Sequence, residues 1–341
     1  MKAQQPGFAG KALTAAQLEE TVDFFRTRLV GQPEVVEVLS NVLLRQNALL
    51  RYGLEHKEEK AGIPADPTVL LFVGGSWGKS LAARLIPMAL SRYGLGSLTA
   101  LTALPQDPEG SIYLDPRIVA VPFAVVLVEH IEAAYAMNAR FVGNLAYVIN
   151  AGLVPLADEI RGMVRPIPLG LATFVFTTGV GEEEIRQTLY PNGKAGFLKR
   201  RDLSVEDAYQ KVQTICHQAL RDLPQEILRE VDETVIFRPL NEDDLREVFD
   251  LEIEYYEQGI FPGRKISVAF EPDAKQQVFS EALAMLDLYG IHVLRRKLQH
   301  HIDPVVYKAY IEGALTEENI ETARVLVTLE GEQLKVKPDW G

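Results

Sequence analysis

A single cysteine, Cys216, stands in 341 residues. An internal disulfide is therefore excluded, and the thiol, set in the helical-looking stretch AYQKVQTICHQAL, is expected to be a buried structural group. No run approaches the roughly 20 apolar residues that cross a bilayer, so no membrane span is expected. The N-terminal stretch MKAQQPGFAGKALTAAQ lacks a continuous apolar core, which argues against a secretory signal and for a cytoplasmic location. Excess positive charge is also missing: 35 Lys and Arg against 47 Asp and Glu give a formal charge of −12. That balance argues against indiscriminate nucleic-acid binding. Two local basic clusters, Lys199-Arg200-Arg201 and Arg295-Arg296-Lys297, could still meet acidic partners, although solvated helix faces are the expected reading. There is no internal repeat and no low-complexity tract. With 47% hydrophobic and 24% charged residues spread evenly, disordered and fibrous classes are excluded, and the length suits a large α/β domain plus a smaller one.

The most informative segment is Thr68 to Ser80, TVLLFVGGSWGKS. It reads as a buried strand entering a glycine-rich turn that ends Gly78-Lys79-Ser80, the tail of a phosphate-binding loop. In such a loop small residues let backbone N–H groups approach phosphates, the Lys places a cation on the β and γ oxygens, and the Ser hydroxyl reaches Mg²⁺. The residues expected to cradle ATP or ADP are Gly74, Gly75, Ser76, Trp77, Gly78, Lys79, Ser80 and Leu81, with Ser80 also a ligand of Mg²⁺. The loop departs from the G-x-x-x-x-G-K-[ST] pattern, because Val73 stands where the first glycine is expected. Either the loop is one residue short or its first turn is built differently.

Around this loop the chain alternates helical and strand patterns. Residues 16 to 52 are helical, interrupted at Val30-Gly31-Gln32-Pro33. LAARLIPMALSRYG after Ser80 is the helix whose N-terminus faces the phosphates. Apolar runs at Ile118 to Val128 and Leu171 to Phe176 are expected as central strands buried on both faces. Strands separated by helices imply a parallel sheet, so the fold class is α/β. From Glu242 the texture changes to three helices with strand-like pieces KISVAF and ARVLVTLEG. The expected division is a nucleotide-binding domain at 1–240 and a mainly helical lid domain at 241–341, with the boundary near Pro239 to Asn241.

Five segments, in order, resemble the AAA+ module of the Clp family of protein unfoldases, in particular the second ATPase ring of its two-ring members and the related torsins. Leu29-Val30-Gly31-Gln32 is similar to the V-V-G-Q segment that packs on adenine. Pro122 to Tyr135, PFAVVLVEHIEAAY, resembles the strand carrying the Mg²⁺-site Asp and the catalytic Glu, followed by I-E-K-A-H. Thr173 to Gly179, TFVFTTG, falls on a strand ending T-S-N, Val231 to Leu240 on IDEVVVFHPL, and Leu288 to Arg295 on Y-G-A-R-P-L-K.

The resemblance implies a nucleotide site with altered catalytic groups. Glu129 falls on the Mg²⁺-site Asp and still offers an oxygen. His130 falls on the Glu that polarises the attacking water; an imidazole can accept a proton but carries no negative charge. The polar residue that holds the water or γ-phosphate becomes Gly179, with Thr177 and Thr178 beside it. The arginine finger, a cation given to the neighbouring subunit's γ-phosphate, falls on Glu230, with Arg229 one residue earlier: either Arg229 serves after a small shift, or the finger is lost. The arginine of the small domain that senses nucleotide becomes His292, and Arg295 lies one turn further on. The substrate-gripping loop is shortened, with Tyr113 its one aromatic candidate, which does not support threading of polypeptide. His300-His301 with Asp303 does not suit a metal, since adjacent helical residues point about 100° apart. The expectation is a Clp-like nucleotide-binding protein with weak or absent hydrolysis, acting as an assembly component, adaptor or scaffold with other AAA+ subunits and an unknown protein client. The rival is an active ATPase that remodels a protein complex, using Glu129, His130, Arg229 and Arg295. A third class, a scaffold without nucleotide, follows if Val73 closes the loop.

Overall fold

The computed structural model describes residues 11–56, 66–75, 77–97, 101–102, 104, 107–112, 121–158, 163–189, 203–261, 265–286, 290–331 and 333–340. Two compact units divide the chain, residues 1–185 with 209–238 and residues 186–208 with 239–341.

The first unit is built on five parallel strands in the order β2-β3-β6-β1-β7. These are β1 (Thr68–Val73), β2 (Leu101–Thr102), β3 (Val125–Val128), β6 (Thr173–Thr177) and β7 (Glu233–Ile236). Every residue of β1, β3 and β6 is buried, as their unbroken apolar sequences require of strands covered on both faces. The run that begins at Ile118 was expected to be strand throughout; 118–120 lie outside the described residues, 121–124 form a turn, and the strand starts only at Val125. A hairpin of β4 (Leu153–Asp158) and β5 (Met163–Pro168) is inserted before β6.

The helices of this unit are α1 (Ala15–Arg26), α2 (Pro33–Glu55), α3 (Lys79–Ser91), α4 (Ile131–Met137), α5 (Ala139–Ala151), α6 (Glu182–Leu189), α7 (Val205–Ala219) and α8 (Gln225–Leu228), with α6 and α7 crossing into the second unit. Thr14 starts α1 with a capping box to Gln17, and Pro33 starts α2, where a missing N–H costs nothing. The register pairs Phe72 with Thr177, Val128 with Phe176, and Val73 with Ile236. Parallel strands in register bring the carboxyl ends of β1, β3, β6 and β7 to one edge, where open α/β sheets bind ligands.

The second unit packs α9 (Glu242–Gly259), α10 (Pro272–Leu283) and α11 (Val293–Ile311) with a three-stranded sheet ordered β10-β9-β8. Its strands are β8 (Ser267–Phe270), β9 (Arg324–Glu330) and β10 (Gln333–Asp339); β8 runs parallel to β9, and β10 is antiparallel to it. Asn241 starts α9 with a capping box to Asp244. Among the described residues no helix is long and apolar enough to cross a membrane.

Candidate functional site

The loop between β1 and α3 is one residue shorter than the full phosphate-loop pattern, because β1 runs on through Val73, fully buried and paired with Ile236. The turn begins at Gly74, whose φ of 115° suits glycine alone, and a Cβ there would lie 3.1 Å from the Phe237 carbonyl oxygen. At Gly75 a Cβ would meet the indole of Trp77 at 2.8 Å, so the buried Trp77 ring lies directly over that glycine. Gly78, with φ 102°, is the N-cap of α3; among the described residues no side chain caps this end. The N–H groups of Lys79, Ser80 and Leu81 are in the first turn, where a helix has no internal acceptors for them and carries the positive end of its dipole. Ser76 lies outside the described residues.

Lys79 is the dominant charge here, and it is only 7% exposed. Its ammonium donates to the carbonyl oxygens of Gly74 and, at 3.0 Å, Gly75, and forms an ion pair with Glu182 Oε1 at 2.6 Å. An ammonium has three protons, and all three are committed. Glu182 opens α6, just beyond β6. In the sequence its acidic run reads as an ordinary helix start, and the contact with Lys79, 103 residues away, went unseen. The clue available was position: an acid three residues after Gly179, at the end of the strand beside β1. Cys216 lies close enough to feel the pair; burial pushes its thiol up to about 12, with Lys79 opposing and Glu182 adding to the shift.

At the end of β3, Glu129 is half-buried, 3.6 Å from the Arg84 guanidinium of α3. Next to it His130 has φ 54°, the one non-glycine residue with positive φ among the described residues, a conformation that functional sites retain where surrounding structure enforces it. Two contacts do so. Its N–H donates to Thr177 Oγ1 at 3.1 Å, and its Nδ1 lies 3.3 Å from Glu132 Oε1. The same Glu132 oxygen accepts the Gly179 N–H at 2.9 Å, while Glu132 Oε2 is buried with no partner among the described residues. A Cβ at Gly179 would lie 3.3 Å from Glu132 Oε1 and 3.6 Å from both Glu182 Cδ and His130 Nδ1. The space a longer side chain would take at that position is thus filled by two carboxylates and an imidazole.

The remaining residues fall in separate places. Val30 and Gln32 are buried in the turn between α1 and α2, with Gly31 at φ 69°. The Gln32 amide is spent on the backbone of Arg238, donating to its carbonyl at 2.9 Å and accepting its N–H at 2.8 Å. Arg238 in turn forks onto Glu34 and lies over the Tyr209 ring. Arg229 is exposed at the end of α8. In the second unit His292 is exposed at the start of α11, and Arg295 pairs with Glu252 at 2.7 Å. Tyr113 and the basic cluster at 199–201 lie outside the described residues. His301 contacts Glu281 at 3.2 Å, and no group of three metal-ligating side chains occurs among the described residues.

Comparison with known proteins gives one consistent picture. No family model matches the chain. A probable ATP-dependent Clp protease ATP-binding subunit of Chlamydia pneumoniae is 25% identical over 73% of this chain and 29% of its own length. The chaperone protein ClpB 1 of Synechococcus elongatus is 23% identical over 91% of this chain and 33% of its own length. The chain therefore spans about a third of the curated relatives it matches. Among solved structures, Hsp104 in a closed state, described with ATPγS and FITC casein, superposes with a TM-score of 0.63 over 95% of this chain and 53% of that one, at 18% identity.

Proposed function

The chain has the AAA+ fold and is a sequence relative of Clp and ClpB ATPase subunits, and from that premise we propose that it is a nucleotide-binding subunit with weak or absent ATP hydrolysis, working as an assembly component, adaptor or scaffold. The observation that carries this reading is the pairing of glycine turns at Gly74, Gly75 and Gly78 and of Lys79 at the start of α3 with an imidazole, His130, directly after Glu129, the residue proposed to face Mg²⁺. Loop N–H groups and the first turn of α3 hold the phosphates. Ser80 and Glu129 are the residues that would hold Mg²⁺, which when bound supplies positive charge to the phosphate oxygens. The Leu29 to Gln32 turn borders the base through its backbone and apolar side chains, since the Gln32 amide is committed to Arg238.

Weak hydrolysis follows from what stands beside the loop. His130 offers no fixed negative charge to polarise water, Gly179 offers no side chain to position it, and Lys79 is already engaged by Glu182. Other subunits of a ring, a protein client and a cytoplasmic setting belong to the same proposal.

A second reading has one specific contact in its favour. A Glu132 carboxylate oxygen 3.3 Å from Nδ1 favours a proton there, and that tautomer would leave Nε2 with a lone pair, the arrangement of a general base. In a working ATPase, Nε2 would take the proton of the attacking water, and Arg229 would serve a neighbouring subunit.

The test uses Trp77, which packs inside the loop, against Trp340 at the far end of the chain. Addition of ADP or ATP is expected to change Trp77 fluorescence, the signal to vanish in Lys79→Ala, and phosphate release to stay near background. Steady turnover abolished by His130→Ala would establish the second reading. No Trp77 signal together with no heat of binding would overturn both in favour of a scaffold without nucleotide.

A further inference from the structure

We propose that Glu182 stands in for the terminal phosphate of a nucleotide and makes this pocket select nucleoside diphosphate over nucleoside triphosphate. The inference rests on the nucleotide reading above and names the class of nucleotide that the same site prefers.

The ammonium of a phosphate-loop lysine serves the β and γ oxygens. In this chain its three protons go to two loop carbonyls and to Glu182 Oε1, and only the last of these is an anion. The carbonyls of Gly74 and Gly75 belong to the loop itself and anchor the side chain in place. Glu182 supplies the negative charge that a buried cation requires, from a different element of the fold. It is also the one of the three that can leave, because its side chain is 32% exposed while Lys79 is 7% exposed.

The surroundings reinforce the choice. Glu182 Cδ sits 3.6 Å from where a Gly179 Cβ would be, so the carboxylate occupies the end of β6, the place where the resemblance puts a polar side chain that holds the γ-phosphate. Glu132 comes to the same corner, its Oε1 3.3 Å from that position and its Oε2 buried without a partner among the described residues. A third phosphate group arriving here meets two carboxylates, each about a third exposed, and like charges at such range repel. A diphosphate can take the loop N–H groups and the first turn of α3 while the Lys79–Glu182 pair stays closed. A triphosphate has to displace Glu182 from the ammonium.

The strength of the preference is set by one charge-assisted hydrogen bond, equivalent to about tenfold or more in affinity. Calorimetric titration of the full chain with ADP and with ATPγS, each with Mg²⁺, is expected to give at least about tenfold tighter ADP binding. Glu182→Gln keeps the shape and removes the charge; it is expected to tighten ATPγS by about tenfold and to change ADP by less than about threefold. Equal affinities in the unaltered protein, or tighter ATPγS, would overturn the proposal without any variant being needed. An ADP to ATPγS ratio that is the same in the unaltered protein and in folded Glu182→Gln would overturn it as well. Binding of neither nucleotide to either protein would instead remove the nucleotide reading itself, and this inference with it.

Discussion

The turn at Gly74 makes a quantitative claim about the loop that can be checked without any ligand. Replacing Gly74 by Ala puts a Cβ on a residue at φ 115°, where side-chain-bearing residues carry about 1–3 kcal/mol of strain. The new carbon would also lie 3.1 Å from the Phe237 carbonyl oxygen and 3.3 Å from its nitrogen. That neighbour cannot easily give, because the Phe237 N–H is bonded to the Val73 carbonyl at 2.9 Å at the end of a buried sheet. Overpacking against a fixed backbone adds about 1–3 kcal/mol, so a loss of about 2–6 kcal/mol is expected in all. The control is Gly143→Ala in α5, where an added Cβ meets nothing within 4 Å. There the same substitution should stabilise by about 0.5–1 kcal/mol, through helix propensity. Both glycines belong to the first unit, so urea titrations followed by Trp77 fluorescence and far-UV dichroism read them in one transition. A Gly74→Ala protein within about 0.5 kcal/mol of the parent would refute the argument that Gly74 is required by its backbone and by Phe237.

Three further outcomes are expected. Gln32→Ala strands the N–H and carbonyl of Arg238 and should cost about 2–4 kcal/mol in the same titration; a neutral result would show that the amide bridge is not structural. Cys216 should react with a thiol reagent at pH 8 only after unfolding, because its thiol is pushed up to about 12. The sign for stability follows: the contribution is complete below the unfolded thiol's range, near 8.5, and is lost as pH rises from there towards 12, so Cys216→Ser should flatten the alkaline limb of the stability profile. Arg229→Ala, at an exposed position, should leave stability within about 0.5 kcal/mol and alter only activity that depends on contact between subunits, seen as a rate change at high protein concentration that disappears on dilution.

Much of this architecture could be read from the chain because it is local. The strand–glycine–lysine–helix order at Thr68 to Ser80 is dictated by apolar run, glycine content and helical period, and so are α2, α9, α10 and α11. Fully apolar runs in alternation with helices sufficed for a parallel sheet, since such strands must be covered on both faces. β3 starts later than the apolar run because Pro122 interrupts it: Val121, Phe123 and Ala124 are as apolar as the strand, but proline has no N–H to give a ladder, so pairing begins only at Val125. What the tertiary structure alone decided is who meets whom across long separations. The pairing of Lys79 with Glu182, the sharing of Glu132 between His130 and Gly179, and the locking of Gln32 onto Arg238 join residues 103, 47 and 206 positions apart, apart from the short reach of His130 to Glu132. Charge and hydrogen-bonding capacity are written in each residue, but the partner that satisfies them is chosen by the order of strands in the sheet. Composition therefore announced a cation in a phosphate loop, and only the fold revealed the carboxylate already resting against it.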